Sequence, residues 1–171
     1  MQYGGPNGEL GASLRYLSQR YTMPDDVTKG LLTDIGTEEL GHLEMVGTLV
    51  AQLSKGTPPK EWNEMNTFEY YADNGISVFP QSSQGTPFSA ASIAVTGDPL
   101  TNLYEDLAAE QKARTVYDNI LKLSDDPDVN DVIKFLRQRE ITHFQRFGEA
   151  LDNLQSKMQE KTKFFMGSCN Q

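Results

Sequence analysis

Cysteine is almost missing from this 171-residue chain: Cys169 stands alone, in the segment FFMGSCNQ. A single thiol excludes an internal disulfide framework and any C-x-x-C metal knuckle. It reads as a free thiol on the tail, at home in a reducing compartment. No apolar run approaches the ~20 residues that a membrane-spanning helix needs. Basic residues are also short, with 15 Lys and Arg against 24 Asp and Glu and a net charge of −9. That balance argues against nucleic acid or an anionic membrane as partner, since both call for basic patches. The opening MQYGGPNGEL has neither a basic n-region nor an apolar h-region, so no signal peptide is expected and the cytoplasm is the expected compartment. Histidine is nearly as scarce: the chain has two, His42 and His143.

What is present is helical periodicity. Leu10, Leu14, Leu17 and Tyr21 recur at steps of 4, 3 and 4, which predicts a first helix from Gly8 to about Tyr21. Pro24-Asp25-Asp26 opens a second, which runs to the break Gly56-Thr57-Pro58-Pro59. Residues 56–98 are rich in Gly, Pro, Ser and aromatics and hold no helical period, a length of connection that usually crosses over or carries function. Asp98-Pro99 opens a third helix, and SDDPDV (124–129) separates it from a fourth that ends near Gln159. Two long helices, a crossover and two more make an all-α, ferritin-like four-helix bundle. The expected organisation is one domain over residues 1–160 with a tail over 161–171.

The two histidines lie inside this pattern. Thr28, Leu32, Ile35, Glu39, His42, Val46, Leu49 and Leu53 form one stripe of the second helix, apolar except at its middle. Val129, Ile133, Leu136, Glu140, His143, Phe147, Ala150 and Leu154 repeat it in the fourth. Each Glu-x-x-His therefore points into the bundle, whereas Glu38 and Glu44, turned ~100° and ~140° away, read as outer-surface charges. Glu9, Tyr16, Glu39 and His42 recur as Glu110, Tyr117, Glu140 and His143, all at one offset of 101 residues. By composition alone both histidines would follow a glutamate by three about once in 200 sequences, and the i,i+3 spacing puts each pair on one helix face.

Buried carboxylates persist only where something compensates their charge. One Glu from each of two helices plus Glu-x-x-His from each of the other two is the dinuclear carboxylate pattern of ferritin-like bundles. Carboxylates can bridge two cations, and imidazoles add a nitrogen to each. The oxygen-rich set suits manganese or iron without choosing between them. H-E-x-x-H, the zinc protease signature, is absent.

The chain resembles the manganese catalases, and within them the short spore-coat catalase-like proteins of spore-forming bacteria. The matching stretches are QYGGPNGELGASLRYLSQRY (2–21), LLTDIGTEELGHLEM (31–45), GTPFSAASIAVTGDPLTNLYEDLAAEQKAR (85–114) and SDDPDVNDVIKFLRQREITHFQRF (124–147). The GGPNGE start and AAE-x-x-AR are more distinctive than E-x-x-H. The resemblance implies two manganese ions per chain, with iron as the alternative, held by Glu9, Glu39, His42, Glu110 and His143. It makes Glu39 the bridging carboxylate, Glu140 an acid/base beside the metals, and Tyr16 a hydrogen-bond partner of a ligand carboxylate. Tyr117 keeps a packing role, and Arg114 either offsets carboxylate charge or is solvated. Members of the family usually carry a few dozen residues before GGPNGE.

The implied reaction is dismutation of hydrogen peroxide to dioxygen and water, in a homo-oligomer that is commonly a hexamer. The long connection, with Trp62, Phe68, Tyr70, Tyr71 and Phe79, is the segment expected to reach a neighbour. Two rival readings stand beside it. One is a di-iron oxidase, ferroxidase or peroxidase; rubrerythrin-type peroxidases are set aside for want of C-x-x-C pairs. The other is a mainly structural spore-coat component bound to other coat proteins.

Overall fold

Three of the four helices begin with the same device. Asp25, Asp98 and Asp126 each precede a helix, and their carboxylates accept from the free amides of its first turn: Thr28 N at 2.8 Å, Thr101 N at 2.7 Å and Val129 N at 3.1 Å. Pro99 and Pro127, each right after its aspartate, cost no hydrogen bond at a first helical position. The computed structural model describes residues 1–58, 61, 78–82 and 88–167, the last eight by backbone alone. Its α-helices are α1 (Glu9–Gln19), α2 (Asp26–Leu53), α3 (Pro99–Leu123) and α4 (Pro127–Gly167).

The helices form two antiparallel hairpins, α1–α2 and α3–α4, joined by the long connection, in a ferritin-like four-helix bundle. Ser13 Oγ donates to Gly36 O at 2.6 Å and draws α1 onto α2. A Cβ at Gly36 would lie 2.9 Å from Leu17 Cγ, so the close approach depends on glycine there. Between the hairpins, α1 runs against α3 and α2 against α4. Tyr16 meets Glu110 while Glu9 meets Tyr117; Asp25, Asp34 and Glu38 meet Lys157, Arg146 and Arg139 in descending order.

Two apolar clusters fill the bundle. One gathers Tyr16, Met23, Leu32, Ile35, Leu103, Phe147, Leu151 and Leu154; the other gathers Tyr3, Val46, Tyr117, Ile133 and Leu136. Between them lies a buried polar layer: Glu9, Glu39, His42, Glu110, Glu140 and His143. The seam residues of α2 and α4 are buried from Thr28 to Val46 and from Ile133 to Phe147, Ala150 is half-buried and Leu154 buried, and Leu53, at the end of its stripe, is 58% exposed.

Three expectations change. On α1 the leucine stripe lies at the edge of the buried face, and Tyr21 is 74% exposed; the buried residues are Glu9, Gly11, Ser13, Arg15, Tyr16 and Gln19. The polar layer, not the leucines, decides which way this helix faces. Its last turn tightens into a 3-10 turn over Arg20–Thr22, where Thr22 Oγ1 donates to Gln19 O. The fourth helix runs on to Gly167, because QSKMQEKTKFFM contains no residue that would stop it before that glycine. Of the five aromatic residues expected to reach a neighbour, Phe79 is described and is 38% exposed; Trp62, Phe68, Tyr70, Tyr71 and also Cys169 lie outside the described residues.

Candidate metal centre

The GGPNGE start delivers the first carboxylate. Gly5 N donates to Met1 O, Gly8 N to Gly5 O and Glu9 N to Gln2 O, a coil of turns that ends with Glu9 as the first residue of α1. Gly4 lies flat on another strand of chain: a Cβ there would sit 2.2 Å from Gln81 N. Glu110 comes from the middle of α3, opposite Glu9. Glu39 and His42 share one face of α2, and Glu140 and His143 share one face of α4, as the i,i+3 spacing requires.

These six side chains meet. Their ligand atoms form two groups, Glu9/Glu39/His42/Glu140 and Glu39/Glu110/Glu140/His143, each with all atoms within 4.8 Å of one another and all four residues buried. Glu39 belongs to both and reaches both histidines: its Oε2 lies 2.8 Å from His42 Nδ1 and its Oε1 2.8 Å from His143 Nδ1. Glu9 Oε2 lies 3.7 Å from His42 Nδ1, and Glu110 Oε2 lies 3.7 Å from His143 Nδ1. Glu140 Oε1 stands 3.8 Å from His42 Nδ1. The two imidazoles stack, with ring centroids 5.6 Å apart and planes 19° from parallel.

The remaining atoms of the layer are held from outside. Tyr16 Oη donates to Glu110 Oε1 at 2.6 Å. Tyr117 Oη donates to Glu9 Oε1 in the mirror arrangement, so Tyr117 orients a site carboxylate and is more than the packing residue expected. Glu38 is a second correction. Read as an outer-surface charge, it instead backs both histidines: its Oε1 lies 3.5 Å from His42 Nε2 and its Oε2 3.1 Å from His143 Nε2. Arg139 Nε grips the same carboxylate at 2.5 Å. Each histidine thus turns Nδ1 to the centre and Nε2 toward one carboxylate, close enough for a charge contact though not aligned as a hydrogen bond; a carboxylate in that place orients the ring in metal sites. Glu44 is exposed, as expected. Arg114 turns outward to Asp118 at 2.6 Å and takes no part.

The electrostatics require a counter-charge. Burial pushes the Glu9, Glu110 and Glu140 carboxyls above the usual carboxylate range, with neighbouring Glu110, Glu9 and Glu39 charges adding to it at Glu140. Burial would raise Glu39 as well, but His143 and His42 outweigh it and hold Glu39 low. Burial would lower both histidines, yet Glu39 and Glu9 raise His42 to about 10, and Glu110 and Glu39 raise His143 to about 10. With no cation to balance the carboxylates, these shifts favour protons in the layer.

Cations fit. His143 Nδ1 and Glu39 Oε1 are 2.8 Å apart without being aligned as a hydrogen bond, and Glu110 Oε2 and Glu140 Oε1 also lack a hydrogen-bond partner. Atoms that converge without bonding one another are aimed at a common third point. Four carboxylates and two neutral imidazoles would be balanced by two divalent ions, and the hard oxygen-rich set suits manganese or iron.

The relatives agree with this chemistry. A family model described as manganese containing catalase matches residues 1–164. Protein CotJC of Bacillus subtilis is 50% identical over 163 residues, covering 95% of this chain and 86% of its own length. A probable manganese catalase of Clostridium acetobutylicum is 36% identical over 160 residues, covering 94% and 71%. Among solved structures, KatB, a manganese catalase from Anabaena, superposes with a TM-score of 0.81 at 37% identity, over 90% of this chain and 68% of that one. With its fold and nearly its whole length in common with them, the chain belongs to the manganese-containing catalase family.

Proposed function

We propose that the protein is a dimanganese catalase, converting hydrogen peroxide to dioxygen and water. The observation that carries this reading is the pair of four-residue groups sharing Glu39 and Glu140 in a layer sealed between two apolar clusters. Glu9, Glu39 and His42 would hold one ion and Glu39, Glu110 and His143 the other, with Glu39 as the bridge. When bound, the two ions supply peroxide binding and a two-electron exchange.

The chain's own part is to orient, to exclude water and to hold protons. Tyr16 and Tyr117 each pin one oxygen of a terminal carboxylate and leave the other free for the centre. The apolar clusters keep the layer dry, which strengthens every charge interaction within it. Peroxide oxidation to dioxygen releases two protons and peroxide reduction to water consumes two, so a group must keep a proton between the halves of the cycle. Glu140 takes that role. Without metal, burial and the neighbouring carboxylates raise its affinity for a proton, and a carboxyl beside the ions is placed to pass one on.

The resemblance to spore-coat catalase-like proteins, with the 50% identity to CotJC, extends the reading to a homo-oligomer, a hexamer by family likeness, in the cytoplasm or the spore coat. Among the described residues no helix is long and apolar enough to cross a membrane. The test is oxygen evolution from peroxide by manganese-loaded protein, alongside metal analysis of the protein as isolated. Oxygen consumption with Fe(II) and no evolution from peroxide would make it a ferroxidase. Two bound metals with neither activity would favour a structural coat protein. Light scattering that reports a monomer at micromolar concentration would remove the oligomer.

A further inference from the structure

The 101-residue repeat makes the bundle pseudo-symmetric. Shifting numbers by 101 turns the Tyr16–Glu110 pair into the Tyr117–Glu9 pair, so a twofold axis relates the two halves. A contacting pair whose own members are 101 apart must straddle that axis. His42 and His143 stack across it, and Glu39 and Glu140 meet there as the two carboxylates common to both ligand groups.

Glu38 and Arg139 are the third such pair, and here equivalent positions carry opposite charges. Arg139 Nε and Nη2 donate to Glu38 Oε1 and Oε2 at 2.5 and 3.1 Å. The same carboxylate turns one oxygen toward each ring, 3.5 Å from His42 Nε2 and 3.1 Å from His143 Nε2, as a charge contact that is not aligned as a hydrogen bond to either. A carboxylate away from the axis would reach only one of them.

We propose that Glu38 is the positioning residue for both histidines, holding each ring with Nδ1 turned to the centre, while Arg139 holds the carboxylate on the axis. This rests on the reading of the layer as a metal site. It carries a consequence that an ordinary outer carboxylate does not: the two helices are interchangeable in this role. A carboxylate supplied from position 139 against a guanidinium at position 38 meets the same two Nε2 atoms from the other side.

The experiment compares full-length wild type with Glu38→Gln/Arg139→Gln and Glu38→Arg/Arg139→Glu. Mn(II) affinity and stoichiometry come from competition with a chelating dye, and electron paramagnetic resonance reports the spin-coupled Mn(II) pair. Circular dichroism follows melting of the metal-free forms. The neutral double variant is expected to keep its metal-free melting temperature within a few degrees and to bind Mn(II) ~10–100-fold more weakly. The charge-swapped variant is expected to recover most of that affinity and the coupled signal.

A neutral variant that binds like wild type overturns the positioning role and leaves only a helix clamp. A folded swap as weak as the neutral variant overturns the axis argument. If the swap does not fold, the neutral variant still decides the positioning role. Wild type that takes up no Mn(II) pair overturns the metal-site reading, and this proposal with it.

Discussion

Tyr117 reaches across the bundle to hold Glu9, 108 positions away in the chain, just as Tyr16 holds Glu110. Both hydroxyls are buried, and each bonds a carboxylate that would serve one ion. Replacing either tyrosine with phenylalanine keeps the ring and removes one hydrogen bond to an ionisable group, a loss of roughly 1.5–3 kcal/mol. Tyr16→Phe and Tyr117→Phe are expected to weaken Mn(II) binding by similar factors, each at the ion served by its own carboxylate. Metal titration of the two variants checks this; wild-type affinity in Tyr117→Phe alone would return that residue to packing.

Glu39 and Glu140 both belong to the two ligand groups, yet Glu39 alone lies 2.8 Å from both Nδ1 atoms. Glu39→Gln is expected to lose metal and activity together, because it removes the bridge. Glu140→Gln is expected to retain close to two metals per chain while peroxide turnover falls by roughly 10²–10⁴-fold, since glutamine cannot carry a proton. Metal content measured beside oxygen evolution separates the roles. Loss of metal from Glu140→Gln would make it a ligand, and full activity would end its proton role.

The proton-filled layer ties stability to pH. His42 and His143 are raised from 6.5 to about 10 in the metal-free protein. A group raised on folding contributes its full stability below the unfolded value and loses it as pH rises through the folded one. The raised carboxyls of Glu9, Glu110 and Glu140 act with the same sign. Metal-free protein is therefore expected to melt progressively lower between about pH 6.5 and pH 10. Mn(II) needs the unprotonated ligands, so the rise in melting temperature that it produces should grow over the same range. Scanning fluorimetry with and without Mn(II) checks both; a metal-free melting temperature that climbs with pH contradicts the account.

Two glycines of α2 are expected to respond with opposite signs. Gly36 has Leu17 Cγ at 2.9 Å and Leu17 N at 3.3 Å from where a Cβ would be, whereas Gly30 has nothing within 4 Å. Gly36→Ala should destabilise by roughly 1–3 kcal/mol through overpacking of α1 on α2. Gly30→Ala should stabilise by up to ~1 kcal/mol through helix propensity. Chemical denaturation of the metal-free forms measures both, and equal signs would refute the packing argument.

Sequence spacing disclosed the bundle because helical period and repeat agree. Glu39, His42, Glu140 and His143 could be placed inward since their neighbours at steps of 3 and 4 are apolar. The same reasoning failed for α1, where leucines marked the wrong face. A helix that presents Glu9, Ser13, Tyr16 and Gln19 to the interior has no hydrophobic signature on that face. Glu38 was missed because a helical wheel treats everything ~100° from the seam as solvent-facing. It ignores a side chain that reaches sideways to the next helix. The signal was nevertheless there: positions 38 and 139 share the offset of the ligands and carry opposite charge. The end of α4 was not legible, since no helix-stopping residue stands between Leu154 and Gly167.

The division of the centre between the two halves of the repeat sets an order for synthesis. Glu9, Glu39 and His42 leave the ribosome with the first hairpin, bringing what would be one terminal set and the proposed bridge. His143 follows His42 by 101 residues, a delay of roughly 5–20 s at translation rates of about 5–20 residues per second. Tyr117, which orients the first-made carboxylate Glu9, arrives in that same interval. A nascent chain can therefore offer a first cation an incomplete cradle, but the second half must be made before two ions can be held. On the proposed reading, the metal supply has to meet the finished chain.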